Sequence, residues 1–291
     1  MKRSLMSDLW HKAFRSGNAL YLFIAINILV FIGINLLSLI SVLGITAMPL
    51  SGYALSWLHL PAPVMEWVYK PWTAVTYMFT QEGLFHLLFN MLWLFWLGMI
   101  FLDFLKKRQF VFVYLAGGLV GAALFLLVYN LVPVFRAAAP GTAMIGSSAS
   151  VSAIVFSAAT LLPDYTIRML FFGNVRLKYL ALAFLVIDVL AIAGLNAGGS
   201  IAHIGGALFG FIYIKQLQSG HDWSRILGRS SKKRRLRVIR NEVTPQEEPL
   251  VPNQEVIDRI LDKISQSGYD SLTKAEKETL FKASKQGQNE Y

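Results

Sequence analysis

The chain has 291 residues, of which 55% are hydrophobic and only 15% are charged, and its mean hydropathy is +0.51. A water-soluble protein of this length would carry far more charge on its surface. The net charge of +10 suits contact with anionic lipid headgroups, and because the basic run at 225–240 directly follows an apolar segment, nucleic-acid binding is the weaker interpretation.

Six apolar segments are predicted to be membrane helices, since a bilayer core takes about 20 apolar residues of helix and fewer where a helix is recessed. The first is too long for the core of a signal peptide, so we expect an anchor. The six predicted spans cover 20–43, 84–102, 110–130, 147–162, 178–194 and 200–217. They predict an all-α polytopic membrane protein with a six-helix bundle at 20–217, preceded by a cytoplasmic N-terminus at 1–19.

Lysine and arginine in the short connections predict the orientation of these spans, because cytoplasmic loops carry an excess of both. Basic residues precede span one, separate spans two and three, separate spans four and five, and follow span six. The opposite connections carry only Lys70 and Arg136. Both termini are therefore predicted to be cytoplasmic, and spans two, four and six to run from the outside inward.

The composition changes after the last span. Residues 218–253 are predicted to form a basic segment and a proline-containing linker. Residues 254–291 are predicted to form a small soluble helical hairpin in the cytoplasm. Its first helix ends before Gly268, and Thr273 with Glu276 makes a capping box for the second.

Polar side chains lie at one depth of the predicted bundle. His86 and Asn90 are near the start of span two, Ser148 near the start of span four, and His203 near the start of span six. Polar groups in lipid are costly and usually face each other or a water-filled cavity. We therefore expect these four side chains to converge in the outer part of the membrane.

Two rows of small residues provide a way to bring spans four and six together. Rows of this kind, with a small residue at every fourth position, let helix backbones approach closely in lipid. The row in span four starts at Ala149 and the row in span six at Ala202, and Ser148 and His203 are their immediate neighbours. The rows are Ala149, Ala153 and Ser157 in span four and Ala202, Gly206 and Gly210 in span six.

The residue types indicate nucleophilic catalysis. A serine nucleophile needs a base to take its proton and donors to stabilise the oxyanion of the tetrahedral intermediate. A serine at a helix N-terminus benefits from free backbone N–H groups and the helix dipole. His86 and Asn90, four residues apart, project from one helical face as donors. From the residues alone, the nucleophile is one of four serines: Ser147, Ser148, Ser150 and Ser152.

Over roughly residues 15–217 the sequence resembles the rhomboid intramembrane serine proteases. The motifs that carry the resemblance are His-x-x-x-Asn at 86–90, Gly146-x-Ser148, and Ala-His at 202–203 followed by glycines at 205, 206 and 210. The resemblance implies Ser148 as the nucleophile and His203 as its general base, working as a dyad. It also implies an oxyanion hole formed by Asn90, His86 and the Ser148 backbone N–H, with Gly146 in support.

The resemblance further implies a bacterial inner-membrane protein that cuts single-span membrane proteins near their outer boundary and needs no cofactor. The absence of a His-Glu-x-x-His motif argues against a zinc protease. Three positions depart from the family pattern: Ala149 in place of a frequent glycine, Ser152 in place of an aromatic that supports the histidine, and Thr73 in place of an arginine after Trp72.

Asp188 is the one acid deep inside an apolar run, in span five. Such a residue is a functional candidate, and it could orient His203 as the third member of a triad. The resemblance is to a family that works with a dyad, so a protonated or helix-bonded aspartate outside the dyad is the favoured interpretation.

Two other functions compete with proteolysis. A catalytically inactive relative would bind membrane proteins without cutting them, but such relatives commonly lose the dyad that is present here. A transporter or channel would need more intramembrane charge or internal repeats, and neither is evident in the sequence.

Overall fold

The computed structural model describes residues 7, 10–169, 173–194, 196–227 and 254–286. The chain divides into two units, one within residues 1–231 and the other within 232–291. The helices of the first unit are α1 (Ala19–Val42), α2 (Leu50–Leu58), α3 (Val64–Tyr69), α4 (Thr73–Thr76), α5 (Leu84–Phe104), α6 (Lys107–Leu131), α7 (Pro133–Ala138), α8 (Ser148–Leu161), α9 (Leu177–Ala191) and α10 (Ala197–Gln218).

Each of the six predicted apolar segments coincides with one of these helices, to within three residues at either end. Four of them, α1, α5, α6 and α10, are long and apolar enough to cross a membrane. Helices α8 and α9 have only 14 and 15 residues. The chain is therefore a helical membrane protein, and the count of six spans stays a prediction.

The short length of α8 bears on the depth of its first residue. At 1.5 Å per residue a helix of this length is about 21 Å long, well short of a hydrocarbon core of about 30 Å. The helix therefore cannot reach both surfaces of a bilayer, and at least one of its ends is recessed. Its first residue, Ser148, is partly buried.

The predicted rows of small residues lie against each other and bring α8 and α10 into backbone contact. A side-chain carbon added at Gly206 would overlap the Ala149 carbonyl, and one added at Gly210 would overlap the Ala153 carbonyl. Ser157 Oγ donates a hydrogen bond of 3.2 Å to the Gly210 carbonyl. Contacts of this kind are the main source of helix association in lipid, because lipid is as apolar as the helix surfaces themselves.

Helix α6 joins the same contact. A side-chain carbon at Gly121 would lie 2.7 Å from the Ala202 carbonyl oxygen and 2.8 Å from Ala149 Cβ. Gly117 packs against the Ala153 side chain. Helix α10 is accordingly the most buried of the four long helices. Half of its most apolar stretch is buried inside the protein, whereas in α1 the buried share of that stretch is 17%.

Short strands connect the loop after α1 to the segment before α8. Strand β1 (Leu60–Pro61) pairs with β2 (Ala143–Met144) in an antiparallel register. A second antiparallel pair, β3 (Thr166–Met169) with β4 (Gly173–Arg176), lies between α8 and α9 along the chain. The Gly146 N–H then donates to the Tyr77 carbonyl at 3.1 Å. These bonds fix the chain that enters α8.

The second unit contains α11 (Gln254–Ser267) and α12 (Lys274–Gln286). Gly268, at φ +77°, ends the first helix as predicted. The predicted capping box is also present, since the Thr273 N–H donates to Glu276 Oε2 at 2.7 Å. The Thr273 N–H and the Lys263 ammonium lower the pKa of the Glu276 carboxyl to about 2. Most of the predicted basic run and all of the predicted linker lie outside the described residues.

We expect Gly206→Ala to destabilise the first unit, because the added methyl group has no room beside the Ala149 carbonyl. Overpacking of a close-packed interior costs about 1–3 kcal/mol. The midpoint of thermal unfolding in detergent should therefore fall by several degrees.

Gly33→Ala is the matched control, since Gly33 is also helical and a side-chain carbon there would meet nothing within 4 Å. We expect its unfolding midpoint to be unchanged or slightly raised. Equal losses in the two variants would contradict the assignment of Gly206 to a backbone contact.

Candidate active site

A cavity of about 590 Å³ opens at the start of α8. Four polar side chains that the sequence predicted to converge all line it: Ser148, His203, His86 and Asn90. They come from three helices, α8, α10 and α5. The close packing of α8 on α10 brings the first two to the same cavity, as the rows of small residues predicted.

Ser148 is the first residue of α8, and Ser147 is the N-cap residue before it. Backbone N–H groups in the first turn of a helix have no partner within the helix, and the positive end of the helix dipole lies there. The Ser148 N–H is therefore placed to stabilise negative charge in the cavity.

The other serines of this segment are positioned differently. Ser147 and Ser150 are fully buried, and the Ser147 hydroxyl accepts a hydrogen bond from Gln81. Ser152 is partly buried one turn further along the helix and does not line the cavity. Of the four serines that the sequence left open, Ser148 alone shares the cavity with His203.

Gly146 brings the His86 ring against the chain that precedes Ser148. Its φ of +119° lies in the left-handed region, which glycine adopts without strain. A side-chain carbon at this position would lie 2.6 Å from His86 Cε1, 3.0 Å from His86 Nε2 and 3.6 Å from Ser148 Oγ. The missing side chain therefore leaves the space in which the histidine ring and the serine hydroxyl approach each other.

Asn90 is oriented by Gln81, a residue that the sequence interpretation missed. Asn90 Nδ2 donates to Gln81 Oε1 at 2.9 Å. Gln81 Nε2 in turn donates to Asn27 Oδ1 at 2.7 Å and to Ser147 Oγ at 2.8 Å. Gln81 and Asn27 are almost completely buried. One hydrogen of the Asn90 amide is thus used by Gln81, and the second, which has no partner among the described residues, can serve a ligand in the cavity.

No local signal in the sequence marks Gln81. It precedes α5 in a connecting segment, and its partners Asn27 and Ser147 are 54 and 66 residues away along the chain. Helical periodicity relates residues three or four apart, so it could reveal the pair His86 and Asn90 but not this network.

Asp188 lies against His203. Its Oδ1 is 2.7 Å from His203 Nδ1, and the two side chains are 14% and 21% exposed. Of the two forms that the sequence favoured for Asp188, a protonated or a helix-bonded aspartate, this contact contradicts the helix-bonded one, because helix α9 places the side chain beside the imidazole of α10.

The comparisons with known proteins agree with this architecture. The family model described as the Rhomboid domain matches residues 69–219, just over half of the chain and all of the cavity residues named above. A second model, described as a family of unknown function (DUF6576), matches residues 251–286, which contain α11 and α12. A search of curated proteins gave no match. The match over residues 69–219 shows that the chain is an integral membrane protein of the rhomboid family.

Proposed function

We propose that this protein is a serine endopeptidase that hydrolyses peptide bonds of single-span membrane proteins. The observation that carries the proposal is the shared cavity, in which Ser148 at a helix N-terminus meets His203 and the donors Asn90 and His86. These are a nucleophile, a base and an oxyanion site, the three parts that acyl transfer needs.

In the first half of the reaction, Ser148 Oγ attacks the carbonyl carbon of the scissile bond while His203 Nε2 takes the hydroxyl proton. The carbonyl oxygen becomes an oxyanion, which the Ser148 N–H, the Asn90 amide and the His86 ring stabilise. When the intermediate collapses, the C–N bond breaks and His203 returns the proton to the leaving amine. The product is an acyl-enzyme on Ser148.

In the second half, water attacks the acyl group and His203 again acts as the base. Water must therefore reach a site near apolar helices. The cavity has a polar lining that suits this need, since Glu82, Thr142 and Asn196 contribute to it besides the reacting groups. Hydrolysis releases the acid and restores the Ser148 hydroxyl.

The substrate class and the orientation follow from the membrane setting. Helix α8 is too short to span a bilayer, so at least one of its ends is recessed. We infer that this is the end at Ser148, so that the cavity lies below the membrane surface and can act on a segment that itself enters the membrane. With both termini cytoplasmic, this cavity faces the outer side. We therefore propose single-span proteins cut near their outer boundary, in a bacterial inner membrane.

The test is cleavage by purified protein in liposomes, with a panel of single-span substrates. We expect Ser148→Ala and His203→Ala each to lower kcat by about 10³-fold or more, because a nucleophile and its base act as a unit. Ser152→Ala is the matched control on the same helix, and it should keep nearly full activity.

A fluorophosphonate probe identifies the nucleophile directly, because it reacts with an activated serine hydroxyl. We expect it to label Ser148. Labelling of Ser147 or Ser150 would reassign the nucleophile, and cleavage that survives both alanine substitutions would overturn the mechanism. A wild-type protein that binds the substrates and leaves them intact would instead be the inactive binding relative.

Gly146→Ala should lower kcat strongly, since the new methyl group would displace the His86 ring. The matched control is Gly141→Ala, because Gly141 also has a left-handed backbone, at φ +77°, and a side-chain carbon there would meet nothing within 4 Å. Both variants carry backbone strain, because a positive φ disfavours a residue that has a side-chain carbon, but we expect only the first to lose activity in the same cleavage assay.

Gln81→Leu should lower both stability and kcat, because it removes the hydrogen-bond partner of the buried Asn27 Oδ1 and Asn90 Nδ2 atoms. Each unsatisfied group costs about 1–3 kcal/mol. Asn27→Leu removes the far end of the same network without touching Asn90. We expect similar losses of unfolding midpoint in both variants and a clearly larger loss of kcat in Gln81→Leu. Equal losses of kcat would argue against the positioning of Asn90 by Gln81.

A further inference from the structure

We propose that Asp188 is a positioning residue for His203, which holds the imidazole in the tautomer that can accept the Ser148 proton. The proposal rests on the proposed function, because it adds a third member to the pair Ser148 and His203. It concerns the tautomer of the His203 ring and the stabilisation of the positive charge that the ring gains during the reaction.

The contact between Asp188 and His203 is formed near the end of one helix and near the start of the next. Asp188 lies three residues before the last residue of α9, and His203 lies in the second turn of α10. The helices are joined by a connection of five residues, 192–196. The carboxylate and the imidazole thus meet at the end of the bundle where the cavity opens, at 2.7 Å between Oδ1 and Nδ1.

The surroundings of Asp188 make a partner for its carboxylate necessary. Asp188 is the only acid between Asp164 and Asp222, and it is 14% exposed in a part of α9 whose other residues, from Leu180 onward, are all apolar. A carboxylate in such a helix is costly and needs a compensating partner. The imidazole is the partner that the structure gives it.

The chemistry of the two groups determines which ring nitrogen of His203 carries the proton. The proposal takes Asp188 as an ionised carboxylate, which only accepts hydrogen bonds, and it therefore assigns the hydrogen between the two groups to His203 Nδ1. A neutral imidazole with its proton on Nδ1 carries its lone pair on Nε2. That lone pair is what takes the Ser148 proton as the bond from Oγ to the substrate carbon forms.

Charge balance gives Asp188 a second effect on the reaction. When the proton moves from Ser148 Oγ to His203 Nε2, the imidazole becomes a cation. Asp188 keeps its own charge, neither gaining nor losing a proton, and it faces that cation across one hydrogen bond. In surroundings of low dielectric an adjacent opposite charge stabilises the cation much more than it would in water.

A purely structural bond between α9 and α10 would have different consequences. Asparagine has nearly the same shape as aspartate and can still bond His203, but it has no charge and can donate to Nδ1, which leaves the proton on Nε2. Asp188→Asn therefore preserves the tie between the helices and removes the positioning effect.

The kinetic experiment compares the wild type with Asp188→Asn and Asp188→Glu in liposomes. We expect Asp188→Asn to lower kcat by about 10²- to 10⁴-fold, with KM changed less than about threefold and the unfolding midpoint nearly unchanged. The rate of fluorophosphonate labelling of Ser148 should fall with kcat. Asp188→Glu should recover part of both rates, because it restores the charge.

The tautomer can be measured without a substrate, by nitrogen NMR of the wild-type protein labelled at histidine, with His203→Gln used to assign the signal. We expect neutral His203 to carry its proton on Nδ1. In Asp188→Asn the signal should shift toward the tautomer protonated on Nε2.

Two results would overturn the inference: a wild-type His203 that is protonated on Nε2 when neutral, or an Asp188→Asn protein whose kcat and labelling rate match the wild type while Ser148→Ala and His203→Ala are inactive. The second result leaves the proposed function intact. If instead the wild type cleaves no substrate and Ser148 is not labelled, the proposed function fails, and the tautomer measurement still decides whether Asp188 positions His203.

Discussion

The backbone contact between α8 and α10 is the constraint on which the candidate site depends. Lipid gives no hydrophobic drive for helices to associate, so they pair where small residues let their backbones touch. Gly206 against Ala149 and Gly210 against Ala153 are such places. Ser148 directly precedes the first small residue of its row and His203 directly follows the first of the other. Any side chain that separated the two helices would therefore separate the proposed nucleophile from its base.

A buried polar network joins α5 to the start of α8 and to α1. Helix α5 carries Asn90, and the amide of Gln81 connects it to Ser147 at the N-cap of α8 and to Asn27 in α1. Inside a protein an unpaired amide is costly, and a fully bonded one is held rigidly. The same bonds that avoid this cost thus fix the direction of the Asn90 amide. Stability and orientation of the proposed oxyanion donor come from one network.

The sequence could predict the parts of the molecule that depend on local patterns. Hydropathy gave the positions of the helices, and the spacing of small residues gave the pairing of α8 with α10. The residue types indicated a serine nucleophile among four candidates, and the resemblance to the rhomboid family selected Ser148 with His203. It could not predict Gln81 or the partner of Asp188. Their contacts depend on how neighbouring helices are aligned along their length, which is a property of the folded bundle. An acid in an apolar run shows that a partner is needed but not which one.

Helix α9 is attached to the rest of the bundle unevenly, which bears on the contact that it supplies. Its buried residues, Leu177, Leu180 and Ala181, all lie in its first turns. Further along, Phe184 packs edge to face on Trp93 of α5 at 4.8 Å, and Ile187 is mostly exposed. The half of α9 nearest the cavity therefore has no buried residue, and among the described residues the bond from Asp188 to His203 is its polar side-chain contact with α10. A movement of this half away from α10 would take the carboxylate from the imidazole, so the state of the proposed base depends on the position of α9.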